Sequence, residues 1–285
     1  MSGRGWLNLG MLLAALLLTT LVYFEPGMPS QARVRLYQLD RAAVQQIKVE
    51  RDGAETLLLQ RRGPQWWLLE PAVVAAKPYY VEQLLDMLSR ESLQRYPAEG
   101  LDLSKYGLQP PRARLSLDGV ELAFGRINPL NNRLYVMVDN VMHMVLQNDI
   151  SLLTTDWFEY VATAPFAGME LVGLELPGLG QIRRDEQGWR YEGDQVPASA
   201  DQLQMLVDVW QQAQAVQVRP VSKAVATEMV VMQLAGGEVL RLGLSRSPEG
   251  LALQYQELGL EYVFDEAQAK RLLQWPGLAA AENDD

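Results

Sequence analysis

The chain has 285 residues, 48% of them hydrophobic and 21% charged, a composition that folds rather than staying disordered. Its net charge of -10 excludes the basic stripe that a nucleic-acid partner demands and disfavours attachment to anionic lipid through charge. With no cysteine there are no disulfides, thiolate zinc sites or cysteine nucleophiles.

Residues 6–24 read WLNLGMLLAALLLTTLVYF, uncharged and with Asn8 as the one strongly polar interruption. As a helix this stretch spans about 28 Å, close to the hydrocarbon thickness of a bilayer. Trp6 and Tyr23 fall where an aromatic belt places such rings. A cleaved signal peptide would end in a small-x-small site, whereas this run ends LVYFEPGMPS. The expectation is an uncleaved anchor in the lipid bilayer through residues 6–24, after a cytoplasmic tail of residues 1–5. Arg4 precedes the helix while Arg33, Arg35 and Arg41 follow it, so the charge rule alone does not orient it. The short tail is the usual arrangement of a signal-anchor, which puts the remainder in the periplasm of a bacterial inner-membrane protein. Residues 25–43, broken by Pro26 and Pro29, read as a linker.

Two similar segments follow, residues 44–153 and 170–275, joined by a connector over residues 154–169 and trailed by an acidic tail, 276–285. Trp67 aligns with Trp189 at an offset of 122, which also carries Leu84, Leu85 and Leu88 onto Leu206, Val207 and Trp210. Further on, SLDGVELAFG matches QLAGGEVLRLG at a shift of 117 to 118, and MVLQND near Val145 falls on YVFDEA near Val263. Order, spacing and element type agree, so a duplication is expected.

The first copy opens with VQQIKVE and ETLLLQR around Asp52-Gly53, a dipeptide that tolerates the positive φ of tight hairpins. An amphipathic helix follows, with Pro78 in its first turn and Val81, Leu84, Leu85 and Leu88 as one stripe. Its counterpart carries a capping box, Ser199 with Gln202, ahead of Leu203, Leu206, Val207 and Trp210. Two hairpins come next, ARLSL-DG-VELAF and RLYVMV-DN-VMHMVL, and short helices over residues 148–153 and 265–273 close the copies. The fold class expected is α+β: a transmembrane helix, then two tandem duplicated domains, each an antiparallel sheet with helices against one side.

Since Trp67 recurs as Trp189, it is assigned to the shared core, and strand alternation puts Trp66 on the other face as a contact residue. Arg61, Arg62 and Tyr79 are the other candidate partner-binding residues. No catalytic, cofactor or metal site is expected. The single histidine, His143, shares a strand face with Val141 and Val145 and has no ligand set at useful spacing. Gly236-Gly237 and Asp185-Glu186 read as turns, and Tyr79-Tyr80 matches a sugar-stacking pair in composition.

The order of these motifs resembles the bacterial family called domain of unknown function 4340. Its landmarks W-x-L-x-x-P, Y-G-L-x-x-P and Y-V are matched by Trp67 to Pro71 (with Trp66 five places before Pro71), by Tyr106 to Pro110 and by Tyr135-Val136. The second segment lacks the Y-G-L-x-x-P stretch. The resemblance implies an inner-membrane anchor with an envelope-exposed domain, and some relatives look like auxiliary components of ABC-type transport systems of the gliding-motility kind. The function expected is therefore a non-enzymatic accessory subunit binding an envelope protein complex such as an ABC-type transporter. The alternatives are a platform subunit of a secretion or pilus machine and a periplasmic glycan- or ligand-binding protein.

Overall fold

The computed structural model describes residues 3–24, 34–146, 150–193, 199–223, 226–248 and 250–276. The uncharged N-terminal stretch is helical as α1, Gly3–Phe24. Side chains are described for Trp6 and residues 10–20 of it. Among the described residues no helix is long and apolar enough to cross a membrane. The acidic tail lies outside the described residues apart from its first position, as does Asn148 of the first closing helix.

Within the first segment the strands are β1 (Val34–Arg35), β2 (Gln46–Arg51), β3 (Leu57–Arg62), β4 (Gln65–Glu70), β5 (Val74–Ala75), then α2 (Pro78–Asp86), β6 (Glu91–Ser92) and β7 (Gln94–Pro97). After a 3-10 turn at Leu103–Tyr106 come β8 (Ala113–Leu117), β9 (Val120–Asn128), β10 (Arg133–Val138), β11 (Val141–Leu146) and α3 (Ile150–Thr154). The second segment runs β12 (Leu171–Leu176), β13 (Gly180–Asp185), β14 (Gly188–Glu192), α4 (Ala200–Gln211), β15 (Gln217–Pro220), β16 (Glu228–Leu234), β17 (Val239–Ser247), β18 (Gly250–Tyr255), β19 (Leu260–Asp265) and α5 (Glu266–Leu273).

These strands form an antiparallel nine-stranded sheet, β5-β4-β3-β2-β8-β9-β10-β11-β7, and an eight-stranded one, β14-β13-β12-β16-β17-β18-β19-β15. With β5 set aside, the two orders correspond strand for strand. The turns explain the registers. Asp118 and Gly119 between β8 and β9 have φ of 45° and 91°, and Asp139 and Asn140 between β10 and β11 have 45° and 59°. Positive φ at both central residues gives the turn whose twist suits a two-residue hairpin. Within the expected linker, β1 pairs with β6, Leu36 is buried, and Arg41 forms ion pairs with Glu82 and Asp86 of α2.

The helices cover one face of each sheet. Val81, Leu84 and Leu85 of α2 are buried, and Leu203, Leu206, Val207 and Trp210 occupy the same place on α4. The expected capping box at Ser199 and Gln202 is present. Trp210 donates from Nε1 to the Leu272 carbonyl at 2.9 Å, tying α4 to α5. The other face of the first sheet is overlaid by the segment after β7, where Leu108 is buried and Gly125 of β9 meets the Tyr106 carbonyl so closely that a Cβ would lie 2.3 Å from it. In the second sheet, Gly243 of β17 lies likewise beneath Ala226, whose Cβ would be 2.6 Å from an added one. The connector fastens to both: Ala76 bridges Val161, Ala162 donates to the Ala75 carbonyl at 2.9 Å, and Ala215 donates to the Thr163 carbonyl at 2.8 Å.

Candidate functional site

The β3–β4 hairpin reverses the expectation for its tryptophans. Along β4 the buried positions are Trp66 and Leu68, whereas Trp67 is half-buried. Trp66 is 8% exposed and belongs to the core. The offset is the source of the error. Arg62 pairs with Gln65 across the first turn and Asp185 with Gly188 across the second, so Trp66, next in line, corresponds to Trp189. Counting from the turns makes the offset one residue longer, and a slip of one residue exchanges the faces of a strand.

Arg61 lies directly across from Trp66, its guanidinium 5.0 Å from the ring centroid. It also donates to the Ala42 carbonyl at 2.9 Å and the Arg41 carbonyl at 3.3 Å. Arg61 and Trp66 are therefore a clamp between the chain before β2 and the core, not a contact surface. Arg62 is exposed and stacks 5.7 Å from the centroid of Trp67 on the opposite face. That pair, not Trp66, presents an aromatic and a cation to the outside.

Tyr79 and Tyr80 separate by role. Tyr79 is 64% exposed. Tyr80 is half-buried, its ring 5.0 Å from the buried Tyr160 ring and edge-on to Tyr79 at 5.5 Å and 80°. Tyr160 donates to the Leu152 carbonyl at 2.6 Å, and burial pushes its phenol well above the usual tyrosine range. Burial, with Glu159 nearby, raises Tyr80 as well. A cleft of about 200 Å³ opens here, lined by Tyr79, Tyr80, Gln83, Ser151, Leu152 and Thr155.

His143 is buried on the helix-covered face, opposite Val136 of β10 and Arg95 of β7, and its Nδ1 has no hydrogen-bond partner. Burial, then Arg95, holds its pKa below the ordinary histidine value. A buried imidazole whose Nδ1 lacks a partner is not oriented as a general base would be. Among the described residues no three His, Asp or Glu side chains converge as a metal site.

One polar cluster went unread in the sequence. The Glu261 side chain is fully buried on β19, accepting from Arg219 Nε at 2.6 Å, the Ser222 amide at 3.1 Å and the Ser222 hydroxyl at 2.9 Å. Buried Gln254 lies opposite it, its Nε2 at 3.4 Å. Burial pushes the carboxyl up, but the Ser222 amide and Arg219 outweigh that and hold it below the usual carboxylate range. The hint was a carboxylate inside LEYVF, an otherwise apolar strand. Met142 and Met137 occupy the corresponding cross-strand pair of the first sheet, so one position is solved with thioethers in one half and with ions in the other.

The family landmarks now have places. Leu68 is a core residue beside Trp66, and Tyr106, Gly107 and Leu108 form the cover resting on Gly125, with Gly107 in the left-handed region at φ 66°. Tyr135 packs edge-on against Tyr106, the ring centroids 4.9 Å apart at 70°. The model of the family described as domain of unknown function (DUF4340) matches residues 66–252. The chain belongs to the DUF4340 family. The match starts at Trp66, from which W-x-L-x-x-P reads in full, and runs through both sheets into β18. In this DUF4340 chain the missing second Y-G-L-x-x-P corresponds to the shorter path from β15 to β16. No curated protein and no solved structure matches the chain.

Proposed function

We propose that this DUF4340 chain is a non-enzymatic, single-pass inner-membrane protein whose two sheets stand in the periplasm as a duplicated docking scaffold for an envelope assembly. The observation that carries the reading is α1. Leu12, Leu13, Leu16, Leu17 and Leu18 are each about 60% exposed on a helix that has apolar residues on every side. Such a surface calls for lipid or another protein around it. Two sheets of one strand order, fastened by hydrogen bonds to a shared connector, supply a stiff support for a partner, and their correspondence supports a duplication. An ABC-type transporter is the first partner class to test, because relatives of similar motif order look like auxiliaries of such systems. Arg62 and Trp67 are the contact residues assigned here.

The test is brief crosslinking in native membranes, followed by purification of the tagged full-length chain in mild detergent and mass spectrometry of what accompanies it. Stoichiometric recovery of a transporter subunit, lost with Trp67→Ala or Arg62→Glu but not with Met205→Ala on α4, is the expected outcome. Recovery of the chain alone from the membrane fraction would remove the accessory-subunit reading. Recovery from the soluble fraction would remove the anchor.

A further inference from the structure

The cleft between α2 and α3 is assembled from two helix ends and a rigid floor. Tyr80 and Leu152 form that floor, braced by Tyr160, whose hydroxyl donates to the Leu152 carbonyl at 2.6 Å. Arg51 donates from Nη1 to the Thr155 carbonyl, holding the far wall. Thr155 donates its own hydroxyl to the Ser151 carbonyl at 3.0 Å, so toward a ligand it can act only as an acceptor. Against this fixed background Tyr79 stands out as an exposed aromatic wall.

The chemistry of the lining is narrow. Its six residues comprise two phenols, one primary amide, two aliphatic hydroxyls and a leucine, with no charge among them. An ionic ligand would find no counter-charge in the lining, and a wholly apolar one would strand the amide and hydroxyls without partners. A ligand with one apolar face and a rim of neutral hydroxyls satisfies both walls, and a pyranose ring is that shape. The volume of about 200 Å³ is room enough for one such ring.

We propose that the cleft binds one residue of a neutral saccharide, with Tyr79 stacked on the apolar ring face and Gln83, Ser151 and Thr155 pairing its hydroxyls. Neither Arg62 nor Trp67 lines this cleft, and the proposal does not depend on the transporter reading. A chain anchored at its N-terminus could hold an envelope glycan here while a protein partner occupies the hairpin.

The experiment is calorimetric titration of the full-length chain, in a detergent without a sugar headgroup, with two probes: the tetrasaccharides of N-acetylglucosamine and of glucose. Saturable binding of at least one is expected. Tyr79→Ala should weaken it roughly tenfold and Gln83→Ala severalfold, while Tyr79→Phe, which keeps the stacking ring, changes it less than about twofold. Tyr79 is exposed, so its variants fold, and an unchanged unfolding transition confirms that they do. The proposal is overturned by no saturable binding of either probe up to about 10 mM. Binding that survives Tyr79→Ala would also overturn it, as would a proline-rich peptide binding the cleft where neither sugar does. None of these outcomes bears on the co-purification result.

Discussion

Glu261 shows how an ion can belong to a core. Its side chain has no exposed area, whereas that of its partner Arg219 is 45% exposed, so solvent screens the Coulombic attraction and the short hydrogen bonds carry much of the stabilisation. Because its folded pKa is depressed, the contribution is complete above the unfolded carboxylate value and is lost as pH falls through the lower, folded one. Glu261→Gln should therefore cost about 2 kcal/mol at neutral pH. The gap should begin to shrink below the ordinary carboxylate pKa of about 4.3 and close only below the lower, folded one. Denaturant titrations at pH 7 and at pH 3 check this. A gap that is constant across both would mean that the carboxylate gains nothing from its charge. Trp66 and Trp67 teach the neighbouring lesson: two identical side chains one position apart are a core residue and a surface residue because a strand alternates.

At the level of elements, glycine at 125 is fixed by a close approach and not by its own φ. A methyl there would lie 2.3 Å from the Tyr106 carbonyl, and backbone cannot swing aside as the end of a side chain can. Gly125→Ala should destabilise the chain by about 2 kcal/mol and release the Leu108 cover. Faster amide exchange at Gly107 and Leu108, which donate to Ser104 and Leu103, is the measurement. A fully protected cover in the variant would show that β9 moves instead. The same elements show how far the sequence could be read. Helices α2 and α4, the capping box and the Asp-Gly and Asp-Asn hairpins were all legible, because 3.6-residue stripes and turn dipeptides are local signals. Short strands such as β5, β7 and β15 were not, since a strand of two to four residues exists through its neighbour and carries little pattern of its own. The tryptophan face was misread because a helix offset of 122 was carried into a hairpin where the turn shifts it by one. Trp66 and Arg61 could not be assigned as clamps from sequence, since the carbonyls that Arg61 reaches, at 41 and 42, are named by the fold alone.

For the whole molecule, the connector decides whether the two sheets act as one body. Lys77 donates to the Tyr160 carbonyl at 2.6 Å, Ala162 to Ala75 and Ala215 to Thr163, so one short stretch stitches the edge of the first sheet to the approach of β15 in the second. Ala162→Pro deletes the central donor. Both sheets should stay folded, while exchange at the Lys77 and Ala215 amides rises by about tenfold or more. Protection retained at both would show that side-chain packing alone is enough to join them.

The strand orders also set a timetable for synthesis. In each sheet β2-β3-β4 and β8-β9-β10-β11, or their counterparts, are meanders of neighbours in sequence, and the seam between them is one distant pairing. Along that seam Ile47 meets Leu117 and, in the second sheet, Leu174 meets Met232. Loop closure over such a distance comes late. As the nascent chain emerges, the first meander therefore waits with β2 as an open edge until β8 has followed it out. A strand edge left open in that interval is a place where another chain can add. In each half a chaperone would have that seam to shield first, and a second distant pairing, β7 with β11 or β15 with β19, closes the far edge.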